Sequence, residues 1–180
     1  MKTFRSNPSA KRPSFARQVG VGLLFIAAIT FVAALGSAST ISEVDGWYAN
    51  ADKVPWSPPN WVFGPVWSLL YLMIATSGWL VWRAGYREGQ GNAASRTLAI
   101  YALQLVLNGL WTPVFFAAYP RIGPIAWWAS LTIMLALLAA VIWFGISAIS
   151  WSRTAAFLMV PYLAWLLFAA SLNIGIPLLN

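Results

Sequence analysis

Long apolar runs alternate with short polar connections along this chain. Five runs contain no charged residue, and each is close to the ~20 residues that a helix rising about 1.5 Å per residue needs to cross a bilayer. They occupy residues 19–40, 61–82, 97–118, 124–150 and 155–179. A membrane β-barrel would instead show segments of ~10 residues with alternating polarity. The pattern therefore predicts an all-α integral membrane protein, a five-transmembrane-helix bundle.

The first run and the segment before it set the predicted domain organisation, a basic N-terminal tail at 1–18 and a five-helix transmembrane domain at 19–180. The first run is longer than the ~7–15 apolar residues of a signal-peptide core, which favours a retained helix over a cleaved signal. The tail is rich in Arg, Lys and Ser and lacks acids. Composition favours a solvated cytoplasmic tail, and an organelle transit peptide is the alternative.

Composition and charge agree with a membrane protein. Hydrophobic residues make up 60% of the chain and charged residues 8%, whereas soluble domains carry about a quarter charged residues. Nine of the eleven basic residues fall on one side of the predicted membrane. These are Lys2, Arg5, Lys11, Arg12, Arg17, Arg83, Arg87, Arg96 and Arg153. The positive-inside rule places that side, with the N-terminus, in the cytoplasm for a bacterial inner membrane. The net charge of +7 then reflects topology and attraction to anionic membrane lipid, so no nucleic-acid partner is expected.

The residues that the chain lacks exclude several kinds of chemistry. There is no His and no Cys, and no Asp or Glu lies inside an apolar run. Zinc sites, His-ligated haem, paired carboxylates and Ser–His–Asp triads have no side chains to form them. We therefore expect no metal site, no obligatory cofactor, and neither hydrolytic nor redox-metal catalysis. Proton-coupled transport loses support, because such carriers place ionisable groups at membrane depth.

A polar stripe interrupts the third run. Gln104, Asn108 and Thr112 recur every fourth residue and share one helix face, with Trp111 beside them. A polar stripe at membrane depth must face protein or a cavity. Two interpretations stay open: hydrogen bonds between helices, or the wall of a ligand site.

The fifth run has a matching set. Trp165, Ala169 and Asn173 also fall four residues apart. The small side chain between an aromatic ring and an amide leaves room for a ligand, and close helix contact is the alternative. Tryptophans and prolines are concentrated between Trp47 and Trp82. Because a buried Trp combines a flat apolar body with a donor that needs a partner, this region indicates an aromatic-walled cavity for a flat ligand.

These residues resemble the translocator protein family, also called the peripheral benzodiazepine receptor or tryptophan-rich sensory protein family. The resemblance covers about Gly20 to Asn173, with the motifs in the family's order and spacing. The matching motifs are Trp47-Tyr48, Lys53-x-Pro55-Trp56-x-Pro58-Pro59, Trp61-x-Phe63-Gly64-Pro65-x-Trp67, Leu107-Asn108-x-x-Trp111-Thr112-Pro113-x-Phe115-Phe116 and Pro161-Tyr162-x-x-Trp165-x-x-Phe168-Ala169-x-x-Leu172-Asn173.

The resemblance implies a bundle, commonly a homodimer, whose cavity binds porphyrins such as protoporphyrin IX, sterols in animal members, and isoquinoline or benzodiazepine drugs. The matching ligand-binding residues are Tyr48, Trp67, Asn108, Trp111, Trp165, Ala169 and Asn173, with Pro58 and Pro59 in a loop that acts as a lid. Bacterial members are credited with light-dependent porphyrin breakdown through two pocket tryptophans. Those match Trp67 and Trp165, which are therefore candidate photoredox residues.

Two departures from the family pattern limit what the resemblance implies. Animal members carry a Tyr and then a basic residue after the Leu-Asn pair of the fifth helix, in a sterol-recognition pattern. Here Leu172-Asn173 is followed by IGIPLLN, so specific sterol binding there is not expected. The turn at 119–124 is one residue longer than usual in the family, so helix 4 registers cannot be transferred from relatives.

The function predicted from these observations is a membrane receptor or sensor that binds porphyrin and other flat lipophilic ligands, for tetrapyrrole sequestration, transport or signalling. Stacking on a Trp face stabilises such a plate by about 0.5–1.5 kcal/mol per ring pair. Without a strong metal ligand, free-base porphyrin is favoured over haem, with Tyr48 or Tyr162 as a weak axial ligand. The alternatives are a light-dependent porphyrin-degrading enzyme and transport of another lipophile.

Overall fold

Seven α-helices follow one another in residues 12–180, which the computed structural model describes. They are α1 (Phe15–Thr40), α2 (Trp47–Asn50), α3 (Phe63–Gly85), α4 (Ser95–Thr112), α5 (Tyr119–Ile122), α6 (Ile125–Ile149) and α7 (Arg153–Leu179). Five are long and apolar enough to span a membrane, and residues 12–180 contain no strand. The predicted fold class is confirmed. The first eleven residues of the predicted basic tail lie outside the described residues.

Three helices, α1, α4 and α7, begin before the apolar runs that predicted them, and two of these carry a side-chain cap. The Ser14 hydroxyl oxygen caps α1 by accepting from the Arg17 amide at 3.3 Å. The Ser152 hydroxyl oxygen caps α7 in the same way, accepting from the Ala155 amide at 3.2 Å. Such caps satisfy amides that the first helical turn leaves unpaired. The predicted runs began after the charged residues, whereas the helices include Arg17 and Arg153.

The five long helices form a closed ring in the order α1, α3, α7, α6, α4. The largest fully buried side chains lie inside this ring and include Ile74, Met134, Phe144, Tyr162 and Leu166. A second, smaller apolar cluster of Tyr48, Phe115, Trp127 and Ile176 lies at the end of the bundle where α7 ends. The main core therefore fills the end where α7 begins, and the smaller aromatic cluster packs at the opposite end.

The end of α4 is distorted into a π-helical turn, Pro113–Ala117. Proline lacks the amide that would continue the helical ladder, so the bonding shifts, and the Ala118 amide donates to the Pro113 carbonyl at 3.0 Å. The residue four positions after Phe116 is Pro120, which also lacks an amide. The indole N–H of Trp47 donates to the Phe116 carbonyl at 3.2 Å instead. This turn joins α2 to α4 beside the candidate site.

Candidate functional site

A cavity of about 410 Å³ lies among α1, α3, α4, α7 and the connection that carries α2. It occupies the half of the bundle where α1, α4 and α7 end and α3 begins. Its volume falls within the ~300–1,000 Å³ range of small-molecule sites.

Aromatic rings from three parts of the chain form most of its wall. Trp67 and Tyr71 stand one turn apart on α3, with ring centroids 5.2 Å apart. Trp111 on α4 stacks on Phe115 of the π-helical turn at 6.0 Å and an interplanar angle of 19°. Phe116 also lines the cavity, since the π-helical turn brings two successive phenylalanines to one side. The wall therefore presents several flat apolar faces to one space.

Helix α1 supplies another part of the wall, with small side chains only. Ala33, Gly36, Ser37 and Thr40 line the cavity, and their spacing of 3, 1 and 3 residues places them on one helical face. The space is present because this face carries only small side chains. A methyl group added at Gly36 would touch Thr112 at 3.7 Å, which is ordinary van der Waals contact.

Beneath the aromatic wall lies a buried polar network. The Tyr71 hydroxyl donates to Asn108 Oδ1 at 3.3 Å, and Asn108 Nδ2 donates to the Tyr162 hydroxyl at 2.7 Å. Asn108 is only 3% exposed and does not line the cavity. Hydrogen bonding between helices, one of the two interpretations of the polar stripe, therefore accounts for this residue. The Tyr162 hydroxyl is fully buried in the same network and does not face the cavity.

A second network fixes the orientation of Trp111. Its indole N–H donates to Asn173 Oδ1 at 2.9 Å, and Asn173 Nδ2 donates to the Ser130 hydroxyl at 3.2 Å. The Ser130 hydroxyl donates to the Trp127 carbonyl at 2.8 Å. Because both polar ends of the Asn173 amide are used within the protein, this residue positions an aromatic ring and also borders the cavity.

The loop at 51–59 is fastened to α7 at several points. The Trp56 indole donates to the Ser171 hydroxyl at 3.1 Å, and the Asp52 amide donates to Asn180 Oδ1 at 3.0 Å. Val54 packs directly against Gly175, where any larger side chain would collide with it. Pro58 and Pro59 belong to this loop, which leads into Asn60 at the cavity wall.

Tyr48 on α2 brings a polar group and a nearby cation to the cavity. Burial raises the pKa of its phenol above the usual value, and a hydrogen bond with Ser57 opposes the rise in part. The phenol is therefore neutral at pH 7. The Lys53 ammonium lies 4.7 Å from the centroid of the Tyr48 ring and donates to the Ala51 carbonyl at 3.3 Å.

The structure brings together five of the nine predicted ligand-binding residues. Tyr48, Trp67, Trp111, Ala169 and Asn173 line the cavity. Pro58, Pro59, Asn108 and Trp165 do not. Ligand binding by any of the nine residues stays a prediction.

Trp165 lies behind the cavity wall. Its ring centroid is 5.8 Å from that of Phe63, which lines the cavity, and 5.4 Å from that of Phe168. Its buried indole N–H has no hydrogen-bond partner. Trp165 therefore contacts a ring of the cavity wall without lining the cavity itself.

Sequence reasoning missed much of the wall. Besides the small residues of α1, it did not single out Tyr71, and it placed Phe115 and Phe116 in the family motif without predicting that they bind ligand. Two signals were present: Tyr71 and Phe115 each follow a predicted tryptophan by four residues, which is one helical turn. The stripe of small residues on α1 has the same helical period. No periodic pattern in the sequence indicates the π-helical turn, which places Phe116 at the cavity wall.

The fold and cavity together define a polytopic helical membrane protein with an aromatic ligand-sized space at one end of the bundle. The chain belongs to the TspO/MBR family, whose model matches residues 24–179.

Its relatives include archaeal, animal and bacterial proteins. It is 39% identical over 161 residues to the tryptophan-rich protein TspO of Archaeoglobus fulgidus, covering 88% of this chain and 97% of the relative. It is 39% identical over 145 residues to the human translocator protein, covering 77% and 78%. It is 37% identical over 155 residues to the tryptophan-rich sensory protein of Cereibacter sphaeroides, covering 84% and 90%.

Proposed function

We propose that this membrane protein binds protoporphyrin IX, or another flat lipophilic molecule, in the aromatic cavity, for tetrapyrrole sequestration, transport or signalling. The observation that carries the proposal is the convergence of Trp67, Tyr71, Trp111 and Phe115 on one space of about 410 Å³ within the bundle. Flat rings and a helical face of small residues around one space suit a plate better than a globular ligand. Each ring pair that stacks adds about 0.5–1.5 kcal/mol beyond burial.

The polar edge of the ligand would lie toward Lys53. A free-base porphyrin carries two carboxylate tails on one edge of an apolar plate, and such charges cannot remain in an apolar site without a partner. The Lys53 ammonium, 4.7 Å from the Tyr48 ring that lines the cavity, offers a cation at the membrane surface. We place this mouth on the outer side, with the N-terminus in the cytoplasm of a bacterial inner membrane.

A second candidate function, light-dependent porphyrin breakdown, is favoured by one feature. Trp67 lines the cavity, and its ring centroid lies 5.2 Å from that of Tyr71 and 6.1 Å from that of Tyr162. Light absorbed by the porphyrin would drive transfer of one electron from the Trp67 indole to the porphyrin, which leaves an indole radical cation and a porphyrin radical anion, and the neighbouring tyrosines extend the row of oxidisable rings. In this function Trp67 acts directly and Trp165, behind Phe63, acts through a neighbour.

Two partners complete the proposal. Exposed apolar side chains such as Leu24, Phe31, Leu72, Trp143 and Phe157 cover the outside of the ring and face membrane lipid. A homodimer, which the family resemblance implies, stays a prediction.

The experiment is a titration in the dark that compares protoporphyrin IX with its dimethyl ester, followed by the Soret band. The ester has the same plate but no carboxylates. We expect both to bind, with Lys53→Gln weakening the acid by about tenfold and the ester hardly at all, since only the acid forms the ion pair. Arg121→Gln, which removes another cation from the same face, is the matched control. Failure of the wild type to bind either compound would overturn the proposal.

A further inference from the structure

A second cavity, of about 310 Å³, lies at the opposite end of the bundle from the aromatic one. It is formed where the chain enters α1, where α3 ends, and where α6 turns into α7. Three arginines, Arg12, Arg83 and Arg87, line it, and none of its described lining residues is an Asp or Glu. A concave surface with three guanidinium groups and no lining carboxylate has the charge of an anion site.

Arg83, in the last turn of α3, and Arg87, two residues beyond its end, are both held in place. The Arg83 guanidinium lies 5.3 Å from the centroid of the Trp79 ring, a distance typical of a cation–π contact. Arg87 Nη1 donates to the Tyr86 carbonyl at 2.7 Å. A guanidinium has five N–H donors, so these contacts leave donors free for an anion. Both side chains are therefore held by contacts with a ring or a carbonyl, which leave the positive charge in place.

The surrounding wall is also built from fixed polar groups. Arg17 Nη1 donates to the Tyr86 hydroxyl at 3.1 Å and its guanidinium covers the same ring, which joins the start of α1 to the end of α3. The Trp151 indole donates to the Thr97 hydroxyl at 3.1 Å. The Ser152 hydroxyl accepts from the Ala155 amide, so its own hydrogen stays available to donate. Arginine forks and a hydroxyl donor make up a phosphate-binding set.

We propose that this cavity binds a phosphate group, supplied either by the headgroup of an anionic phospholipid in the adjoining leaflet or by a free phosphate. Arg83 lies in the last turn of α3, the level at which a membrane-spanning helix leaves the hydrocarbon layer for the headgroups. Basic pockets between transmembrane helices on the cytoplasmic side are suited to such headgroups. The site does not depend on the aromatic cavity or its ligand.

The test uses the purified full chain in a neutral detergent. Native mass spectrometry counts bound dioleoylphosphatidylglycerol against dioleoylphosphatidylcholine, and thermal unfolding is measured with and without inorganic phosphate, with equal ionic strength held by chloride. Arg83→Gln removes one lining cation. Arg96→Gln removes one exposed cation from the same face outside the cavity and is the matched control. If Arg83→Gln does not fold, Arg12→Gln replaces it, because Arg12 is exposed and lies outside any helix.

Support for the proposal is phosphate-group binding that Arg83→Gln weakens by about tenfold and Arg96→Gln leaves unchanged. Retention of phosphatidylglycerol over phosphatidylcholine, without a shift by inorganic phosphate, identifies the lipid headgroup. Stabilisation by inorganic phosphate at millimolar or lower concentration identifies the free ion. The proposal would be overturned if Arg83→Gln and Arg96→Gln had equal effects. It would also be overturned if phosphatidylglycerol bound no better than phosphatidylcholine and inorganic phosphate stabilised the protein no more than chloride. The arginines would then be determinants of topology alone.

Discussion

The substitution Ala169→Leu should block the aromatic cavity while leaving the fold intact. Ala169 lies on α7, is 4% exposed and lines the cavity. A leucine there projects extra carbon atoms into space that a bound plate must occupy. Without ligand the new side chain fills a void, so the bundle has room for it.

The expected loss follows from the geometry of the wall. A ligand displaced from α7 would lose stacking on Trp67 or Trp111, each worth about 0.5–1.5 kcal/mol, and any remaining overlap costs about 1–3 kcal/mol as overpacking does in a core. Together the two terms amount to about 1.5–4.5 kcal/mol, which corresponds to a dissociation constant about tenfold to 2,000-fold higher. We expect porphyrin affinity to fall within this range.

The assay is a dark titration with protoporphyrin IX, with the melting temperature measured in parallel. Ala164→Leu is the matched control, since Ala164 is exposed on the same helix and does not line the cavity. The control should bind like the wild type. If Ala169→Leu binds as tightly as Ala164→Leu, the ligand does not contact this part of α7 and the reasoning is refuted.

Three further predictions follow from the same structure. Trp67→Phe should keep porphyrin affinity within about tenfold. It should reduce the photobleaching rate per bound porphyrin more than Trp165→Phe does, because of these two tryptophans only Trp67 lines the cavity. Equal photobleaching rates in both variants and in free porphyrin would exclude protein photochemistry. Asn173→Leu should destabilise the protein by about 1–3 kcal/mol in reversible unfolding, since it leaves the half-buried indole N–H of Trp111 without its acceptor; an unchanged stability would contradict that network. In a bacterial inner membrane, Ser42→Cys should react with an impermeant thiol reagent on intact cells while Gln90→Cys resists it, and the reverse pattern would invert the proposed topology.

The spans could be predicted from the sequence because their signal is local. Each run is free of charge over a length set by the bilayer, and no tertiary contact is needed to recognise it. The ends of helices were less predictable: α1 and α7 begin outside their runs because Ser14 and Ser152 cap them. A polar cap is a hydrogen-bond feature, and hydropathy does not detect it.

The candidate site was only partly predictable because a cavity is defined by what several helices leave empty. Trp67 and Trp111 were found as aromatic residues in a recognisable motif, and both line the cavity. Asn108 lies on the same helical face as Thr112, and Trp165 lies on the same face as Ala169, but neither lines the cavity. Helical spacing identifies a shared face, and it does not say how far along the helix the cavity extends. The small-residue wall of α1 carried a periodic signal, yet its function depends on which helices it faces in the ring.

Porphyrin binding in the aromatic cavity is tested most directly by asking whether porphyrin shields the α1 face that lines it. The chain has no cysteine, so a single one can be labelled without background. In the Ser37→Cys variant the thiol lines the cavity, and in Ser39→Cys it is half-buried on the same helix outside the cavity. We measure the rate of alkylation by a small thiol reagent against increasing protoporphyrin IX in the dark. We expect porphyrin to slow the alkylation of Ser37→Cys, with a midpoint at the porphyrin dissociation constant, and to leave the alkylation rate of Ser39→Cys unchanged. Equal labelling rates for Ser37→Cys with and without saturating bound porphyrin would contradict it.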